Sequence, residues 1–292
     1  MTTRQYFIDG CFDGYHYGHV NAILQSKTLC DTLVLGTHTD KEMSAQKNIP
    51  LFDFEDRCYM LSHCKYIDQF VGAVPYVVTI QTVHKYECSK YLHGDETIIT
   101  KNNENGITVP LDCYITYKVT EGISTSNLLL RLYQYTNKLP ISRNENTAYL
   151  MDILTKMKGC DLANNNKKIY VLHEYDMLCP AHLKQIHQCK RDYPNHVIIA
   201  VIKNDYAGDN GCNIFNELER EITLRSITLI DDVLIYDDTV LGDMLDDSDN
   251  IIVDLSDKNC KYYMEFDKCK YISKLMEKFD QLKHKLVKLT LV

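Results

Sequence analysis

Residues 5–12 form a short apolar run of strand length, Asp13-Gly14 follows as a turn, and from 18 to 30 apolar side chains return at helical spacing through Val20, Ile23 and Leu24. Strand, loop and helix are therefore expected in that order. A second β-rich run at 32–39, a helix-like segment at 54–65, a strand at 69–74, a helix at 79–87 and a strand at 91–93 continue the alternation. Strands alternating with helices predict right-handed βαβ units, hence an α/β fold with a parallel sheet and helices on both faces. Ligands in such folds sit beyond the carboxyl ends of the strands, where strand order reverses.

The rhythm breaks near residue 139. Residues 139–168 hold Pro140, the polar stretch 142–147, an amphipathic patch at 149–157 and an Asn/Lys run at 164–168, which reads as a linker carrying one helix. A strand at 169–172, a helix at 180–191 with Pro180 in its first turn, and a buried strand at 197–202 then restart the first order. YFIDGCFDGYHYGH (6–19) and IYVLHEYDMLCPAH (169–182) share a β-rich start, an aromatic followed by Asp, and a terminal His, as a duplication would leave them. The expected organisation is a first domain over 1–138, a linker over 139–168 and a second domain over 169–292. The lysine-rich end, 266–288, reads as a packed helix with a solvated face, with peripheral contact to a membrane surface as the alternative.

Composition changes the picture in three places. Forty acidic against 32 basic residues, a net charge of −8, leave no broad basic face for nucleic acid. Twelve cysteines are scattered without a CxxC pair, so a zinc ribbon or dithiol redox site has no support, and small buried hydrophobes are the expected role. No apolar run reaches the roughly 18 residues of a membrane span, and MTTRQYFIDG lacks the features of an export signal. Reduced thiols and a cytoplasmic setting are the expectation.

The first strand ends in Asp9-Gly10-Cys11-Phe12-Asp13-Gly14-Tyr15-His16-Tyr17-Gly18-His19, which puts two imidazoles three residues apart where a loop enters a helix. A helix N-terminus offers unpaired N–H groups and partial positive charge to a phosphate, imidazoles add donors, and Gly18 lets backbone approach an anion. Taken alone, two histidines near a turn read equally well as polar loop residues or part of a metal site.

HYGH resembles the HxGH signature of the nucleotidyltransferase superfamily. DGCFDGYHYGHVNAILQSK followed by LGTHTDKE (35–42) is most similar, within the cytidylyltransferase family, to its ethanolamine-phosphate branch. Lys47-Asn48-Ile49-Pro50 with Phe54-Glu55-Asp56-Arg57, then CKYIDQFVGAVPYVVT (64–79), YECSKYLHGDE (86–96) and VTEGISTSNLLLRL (119–132), are similar to further blocks of that family in the same order. The resemblance covers the first 132 residues strongly and the rest as a weaker second copy.

The resemblance implies two tandem Rossmann-like parallel-sheet nucleotidyltransferase domains, the second degenerate. It implies transfer of the cytidylyl group of CTP to phosphoethanolamine, giving CDP-ethanolamine and pyrophosphate for phosphatidylethanolamine synthesis, with Mg²⁺ carried on CTP and no protein metal site. By resemblance His16, His19 and Lys47 are catalytic. Cys11, Phe12, Asp13, Gly18, His93, Gly94, Asp95, Thr120, Glu121, Gly122, Ile123, Ser124 and Thr125 would bind CTP, with Ser124 or Thr125 capping a helix over 126–135. Arg57 would fork onto a phosphate or form a surface ion pair. A primary ammonium wants a carboxylate and acceptors, whereas a quaternary one wants an aromatic cage, so Asp9 and Tyr76 are the candidates for the acceptor. Tyr76 stands where the choline relatives typically carry Trp.

Two departures matter. The family's Arg before TEG is Val119 here, leaving Lys118, Arg131 or another base to fill its place. In the second copy HxGH has become Cys179-Pro180-Ala181-His182, and no lysine precedes Glu219-Arg220. Phosphocholine or glycerol 3-phosphate as acceptor, and a CTP-binding regulatory pseudoenzyme, are the rival readings. A monomer in which the second copy replaces a partner subunit is expected, cytoplasmic with the endoplasmic reticulum surface as its possible membrane contact.

Overall fold

Strand β1 (Gln5–Gly10) lies at the centre of a five-stranded parallel sheet of order β3-β2-β1-β4-β5, with β2 (Thr32–Thr37), β3 (Gln69–Gly72), β4 (Lys90–Gly94) and β5 (Tyr114–Tyr117). This computed structural model describes residues 3–47, 49–95, 109–157, 167–203, 213–245 and 248–262. The chain winds outward from β1 through β2 and β3, then crosses back to add β4 on the other side. Strand order therefore reverses between β1 and β4, which puts the carboxyl end of β1, and the HYGH loop that leaves it, at the position where such sheets bind ligands.

The apolar runs explain this sheet. Phe7 and Ile8 in β1 and Leu33, Val34 and Leu35 in β2 are wholly buried, as parallel strands covered by crossovers must be. One residue of β2 has to be glycine: a Cβ on Gly36 would lie 2.8 Å from a Val74 methyl and 2.9 Å from the Phe7 ring. The helices of this unit are α1 (Tyr17–Thr28), α2 (Asp40–Gln46), α3 (Phe54–Leu61) and α4 (Ile80–Lys85). Thr39 caps α2 and Thr79 heads α4 with a capping box.

The second copy repeats the plan. Strands β6 (Lys168–His173), β7 (Val197–Ile202), β8 (Asp232–Ile235) and β9 (Ile251–Asp254) form a parallel sheet of order β8-β7-β6-β9, the same winding as β3-β2-β1-β4. Helices α5 (Thr125–Thr136), α6 (Thr147–Lys156), α7 (Pro180–Asp192), α8 (Glu217–Arg225) and α9 (Asp238–Leu245) complete the described elements. Periodicity alone anticipates neither α2, β5, α8, β8, α9 nor β9, all of them short. The lysine-rich segment 266–288 lies outside the described residues, and no described helix is long and apolar enough to cross a membrane.

The likeness of the copies reaches single atoms. Asp13 accepts from the backbone N–H groups of Leu51 (2.7 Å) and Phe52 (2.8 Å), and Asp176 accepts from those of Ile214 and Phe215 (both 2.9 Å). Phe12 and Tyr175 both have φ of 51°, and the caps His16 and Cys179 have nearly identical backbone angles. Arg57 and Arg220 follow at the same separation of 163 positions. What the copies share is thus a clamp between the first strand's loop and the chain that enters α3 or α8.

The chain divides into two compact units, Met1–Glu121 and Gly122–Val292. Helix α5, placed with the first domain by its sequence, goes with the second. Its Arg131, fully buried, meets the equally buried Glu219 of α8 through two parallel hydrogen bonds of 2.9 and 3.0 Å. Arg131 also donates to the carbonyls of Gly122 (3.2 Å) and Ser142 (2.9 Å) and lies over the Phe215 ring. Glu219 reaches back to the Asn216 N–H and accepts from the Asn144 N–H, so both ions are saturated where they are buried.

Candidate active site

The loop from β1 to α1 is built so that two imidazoles meet. Phe12 and Gly14 both take left-handed backbone, which turns the chain sharply enough for His16 to cap α1. The His16 Nδ1 accepts from the Gly18 N–H at 3.1 Å, which leaves the ring proton on Nε2. His16 and His19 stack with centroids 3.8 Å apart, and Phe12 presents an edge to His19 at 5.4 Å. Half-buried His19 has no hydrogen-bond partner for its inaccessible Nδ1 among the described residues. Loss of hydration lowers its pKa to about 3, so His19 is a neutral donor and acceptor in the free protein.

Lys47 sits exposed where α2 ends, its N–H bonded to the Met43 carbonyl. Its ammonium bears electrostatically on the Cys11 thiol, which links it to the β1 loop. That thiol is nonetheless pushed up to about 12, first by burial and then by Asp13, and stays protonated.

Several other expected site residues are occupied in holding the loops. Arg57 is a correction to the sequence reading: it is neither a phosphate fork nor a surface pair. It is buried, with Nε on the Phe52 carbonyl (3.1 Å), Nη1 on the Cys11 carbonyl (2.8 Å) and Thr37 Oγ1 (3.1 Å), and Nη2 on the His38 carbonyl (2.9 Å) and Asp40 (2.7 Å). All five donors are spent on the chain after β1, the end of β2, the start of α2 and the approach to α3, so none is left for a phosphate. Asp13 is committed to its two backbone N–H groups. Asp95 follows β4 and accepts from the Val119 N–H at 2.9 Å, which fixes β4 to the segment after β5. Thr120 is buried; its hydroxyl accepts from Asn21 at 3.0 Å and lies 3.4 Å from the Gly18 carbonyl, seating the residue beside the start of α1. His93 and Gly94 end β4, and His93 Nδ1 lies 3.2 Å from the Gly94 carbonyl.

The two bases named from sequence for the place of the arginine at Val119 are found in different surroundings. Lys118 is exposed, 3.5 Å from the equally exposed Glu121, and Arg131 is neutralised by Glu219 within the second unit. There Ser124 caps α5 by accepting from the Asn127 N–H at 3.2 Å, with Ile123 buried, Thr125 as the first helical residue, and Gly122 at φ +80° against Asn144.

Asp9 and Tyr76 are brought together through a residue the sequence reading passed over. The buried Asp9 carboxylate accepts from Tyr91 Oη at 2.6 Å and lies 3.1 Å from His38 Nε2. His38 Nδ1 lies 3.2 Å from the Val74 carbonyl, and the ring is 5.3 Å from that of half-buried Tyr76. The available signal was the His in LGTHTDKE, directly after β2, which the resemblance marked without giving it work. No three His, Cys, Asp or Glu side chains among the described residues are arranged to hold a metal ion.

Residues 7–131 match the cytidylyltransferase-like family. The chain is 29% identical over 263 residues, 78% of its own length and 71% of the relative's, to a probable ethanolamine-phosphate cytidylyltransferase of Schizosaccharomyces pombe. It is 34% identical over 143 residues to the ethanolamine-phosphate cytidylyltransferase of Mus musculus, a match spanning 48% of this chain and 35% of the mouse protein. The Saccharomyces cerevisiae ethanolamine-phosphate cytidylyltransferase is 26% identical over 78% of this chain and 79% of its own length. Choline-phosphate cytidylyltransferases also match, over a smaller part of the chain than the S. pombe and S. cerevisiae ethanolamine-phosphate relatives.

Proposed function

We infer that this chain, whose residues 7–131 form a cytidylyltransferase-like domain, transfers the cytidylyl group of CTP to phosphoethanolamine. The observation that carries the reading is the stacked His16–His19 pair at the N-terminus of α1, at the strand-order reversal of the sheet. The ethanolamine-phosphate relatives, matched over most of the chain, support the acceptor.

The chemistry asks for two anions to be held together while pyrophosphate leaves. A phosphate oxygen of phosphoethanolamine attacks the α-phosphorus of CTP, and the bond from that phosphorus to the oxygen bridging to the β-phosphate breaks. The acceptor oxygen is already ionised, so no general base is required, and the task is positioning and charge stabilisation. His16 donates from Nε2 to the phosphates with the N–H groups of the first turn of α1 beside it. His19, neutral when free, donates a hydrogen bond and gains charge when a phosphate arrives. Lys47 at the end of α2 supplies the ammonium for the α-phosphate and the incoming phosphomonoester. Cys11, Phe12 and Gly18 shape the loop, His93, Gly94 and Asp95 face the nucleoside, and the backbone of Thr120 and Glu121 supplies further donors for CTP. Asp9 and Tyr76 receive the amino group. Mg²⁺ would enter on the triphosphate, where it neutralises charge on the departing pyrophosphate.

The second unit keeps the clamp of Asp176 and Arg220 without the second imidazole of HxGH, which supports a structural role. Two copies in one chain support a monomer, checked by its mass in solution. The decisive assay supplies the purified chain with CTP, Mg²⁺ and, in turn, phosphoethanolamine, phosphocholine and glycerol 3-phosphate, and follows pyrophosphate release. Preferred release with phosphoethanolamine is expected. CTP binding without release under any acceptor would replace this reading with a regulatory nucleotide-binding protein.

A further inference from the structure

The two copies act as an internal control for what the fold itself needs. Asp13 with Asp176, Arg57 with Arg220 and Phe12 with Tyr175 are kept in both, so the sheet-and-clamp plan accounts for them. The Asp9–His38–Tyr91 cluster is kept in one only. By strand register Leu172 stands at the place of Asp9, Lys203 at that of His38, and Ile252 at that of Tyr91. Lys203 there pairs with Asp254 and reaches Ser256 Oγ at 2.8 Å. The same winding of strands stands without the cluster, so the fold does not explain a buried carboxylate and imidazole at the ends of β1 and β2.

The geometry fixes the charge of this cluster. His38 faces a carboxylate oxygen through Nε2 and a carbonyl oxygen through Nδ1, at 3.1 and 3.2 Å. Both neighbours only accept, and a neutral imidazole carries one N–H, so both contacts are hydrogen bonds only in the imidazolium. Burial opposes that charge, but the hydrogen bond and charge of Asp9 and the Val74 carbonyl outweigh it, and the His38 pKa is raised. Asp9 and His38 therefore form a neutral pair. A carboxylate has about four lone-pair positions; Tyr91 and His38 take two, and the others stay able to accept.

We propose that His38 is a specificity-determining positioning residue, which cancels the charge of Asp9 and fixes its orientation so that the site rewards an acceptor amine for its N–H donors and not for its charge. This rests on the reading of the site given above. A primary ammonium gains directed bonds to the remaining lone pairs of Asp9. A quaternary ammonium has no N–H to donate and meets a pair without net charge, so it gains little. A neutral residue at position 38 makes the site anionic and relaxes that choice.

The test is His38→Gln, which keeps a donor toward Asp9 and drops the charge, assayed for kcat/KM with phosphoethanolamine and with phosphocholine. The ratio of the two is expected to fall by about tenfold, chiefly through a gain for phosphocholine, with the KM for CTP unchanged. An unchanged ratio, or a KM for CTP that rises together with both acceptor values, would overturn the proposal. The wild-type protein supplies a second measurement that needs no variant. Raising pH from about 6 upward through the raised His38 pKa strips the imidazolium, so the same ratio should fall, while the shared phosphate ionisation of the two acceptors cancels. The groups facing His38 are Asp9 on β1, Glu42 on α2, Arg57 on α3, which donates to the His38 carbonyl, Tyr76 after β3 and, through Asp9, Tyr91 on β4. A ratio flat across that range refutes the role of the charge. Wild-type turnover with neither acceptor would refute the functional reading itself, and with it this inference.

Discussion

Replacing Asp13 by Asn isolates the clamp that both copies share. Asp13 holds two backbone N–H groups with its two oxygens, at 2.7 and 2.8 Å, in a buried site. Asparagine keeps one acceptor oxygen and turns an NH2 toward the second N–H, so one charge-assisted bond is lost and a buried donor is orphaned. At roughly 1–3 kcal/mol for such a donor and a little more where the bond was charge-assisted, the cost is about 2–4 kcal/mol. Because Asp176 makes the same two bonds at 2.9 Å, Asp176→Asn should cost the same in its own unit. Hydrogen exchange followed by mass spectrometry reads each unit separately. Peptides covering 51–52 should exchange about 30- to 1000-fold faster in Asp13→Asn, and those covering 214–215 in Asp176→Asn, each with little change in the other. A cost in one copy and none in the other would refute the argument that the clamp, rather than the chemistry, conserves these aspartates.

Lys47→Ala should lower turnover by about 100-fold or more, while the thermal midpoint stays unchanged because the side chain is exposed; near-normal kcat would remove Lys47 from the mechanism. Breaking the buried pair in the second unit, by Glu219→Gln or Arg131→Met, should cost about 3–5 kcal/mol in denaturant titrations, since the remaining ion loses its partner. His19 gives a pH dependence of defined sign. Its folded pKa, about 3, lies below the unfolded value of 6.5, so the unfolded chain binds the extra proton and stability falls as pH drops below about 6.5. His19→Asn should remove up to about 1.4 kcal/mol per pH unit from that slope, and parallel stability curves for the two proteins would contradict the lowered value.

Much of the first sheet could be read from apolar periodicity, because β1, β2 and α1 are long enough for their buried faces to show in the pattern. The HYGH loop was readable for a similar reason: the turn, the cap and both imidazoles lie within a dozen consecutive residues. The jobs of Arg57, His38 and Tyr91 were not. Each depends on partners dozens of positions away, and an arginine holding carbonyls looks in sequence like one awaiting a phosphate. Tyr91 and Asp9 are separated by 82 positions and joined by one hydrogen bond that only the β1–β4 pairing creates. The allegiance of α5 was hidden likewise, since the carboxylate that neutralises Arg131 lies 88 positions further on.

That pairing bears on how this chain can be cut. The match to the cytidylyltransferase-like family ends at residue 131, yet the guanidinium at that very position is neutralised by the carboxylate of residue 219. The border of the family match and the border between the two compact units thus fall in different places. A fragment trimmed to the matched segment would keep the first turns of α5 without the unit they pack into, and anyone isolating the first half for study should expect those residues to fray unless the cut is moved to the unit border.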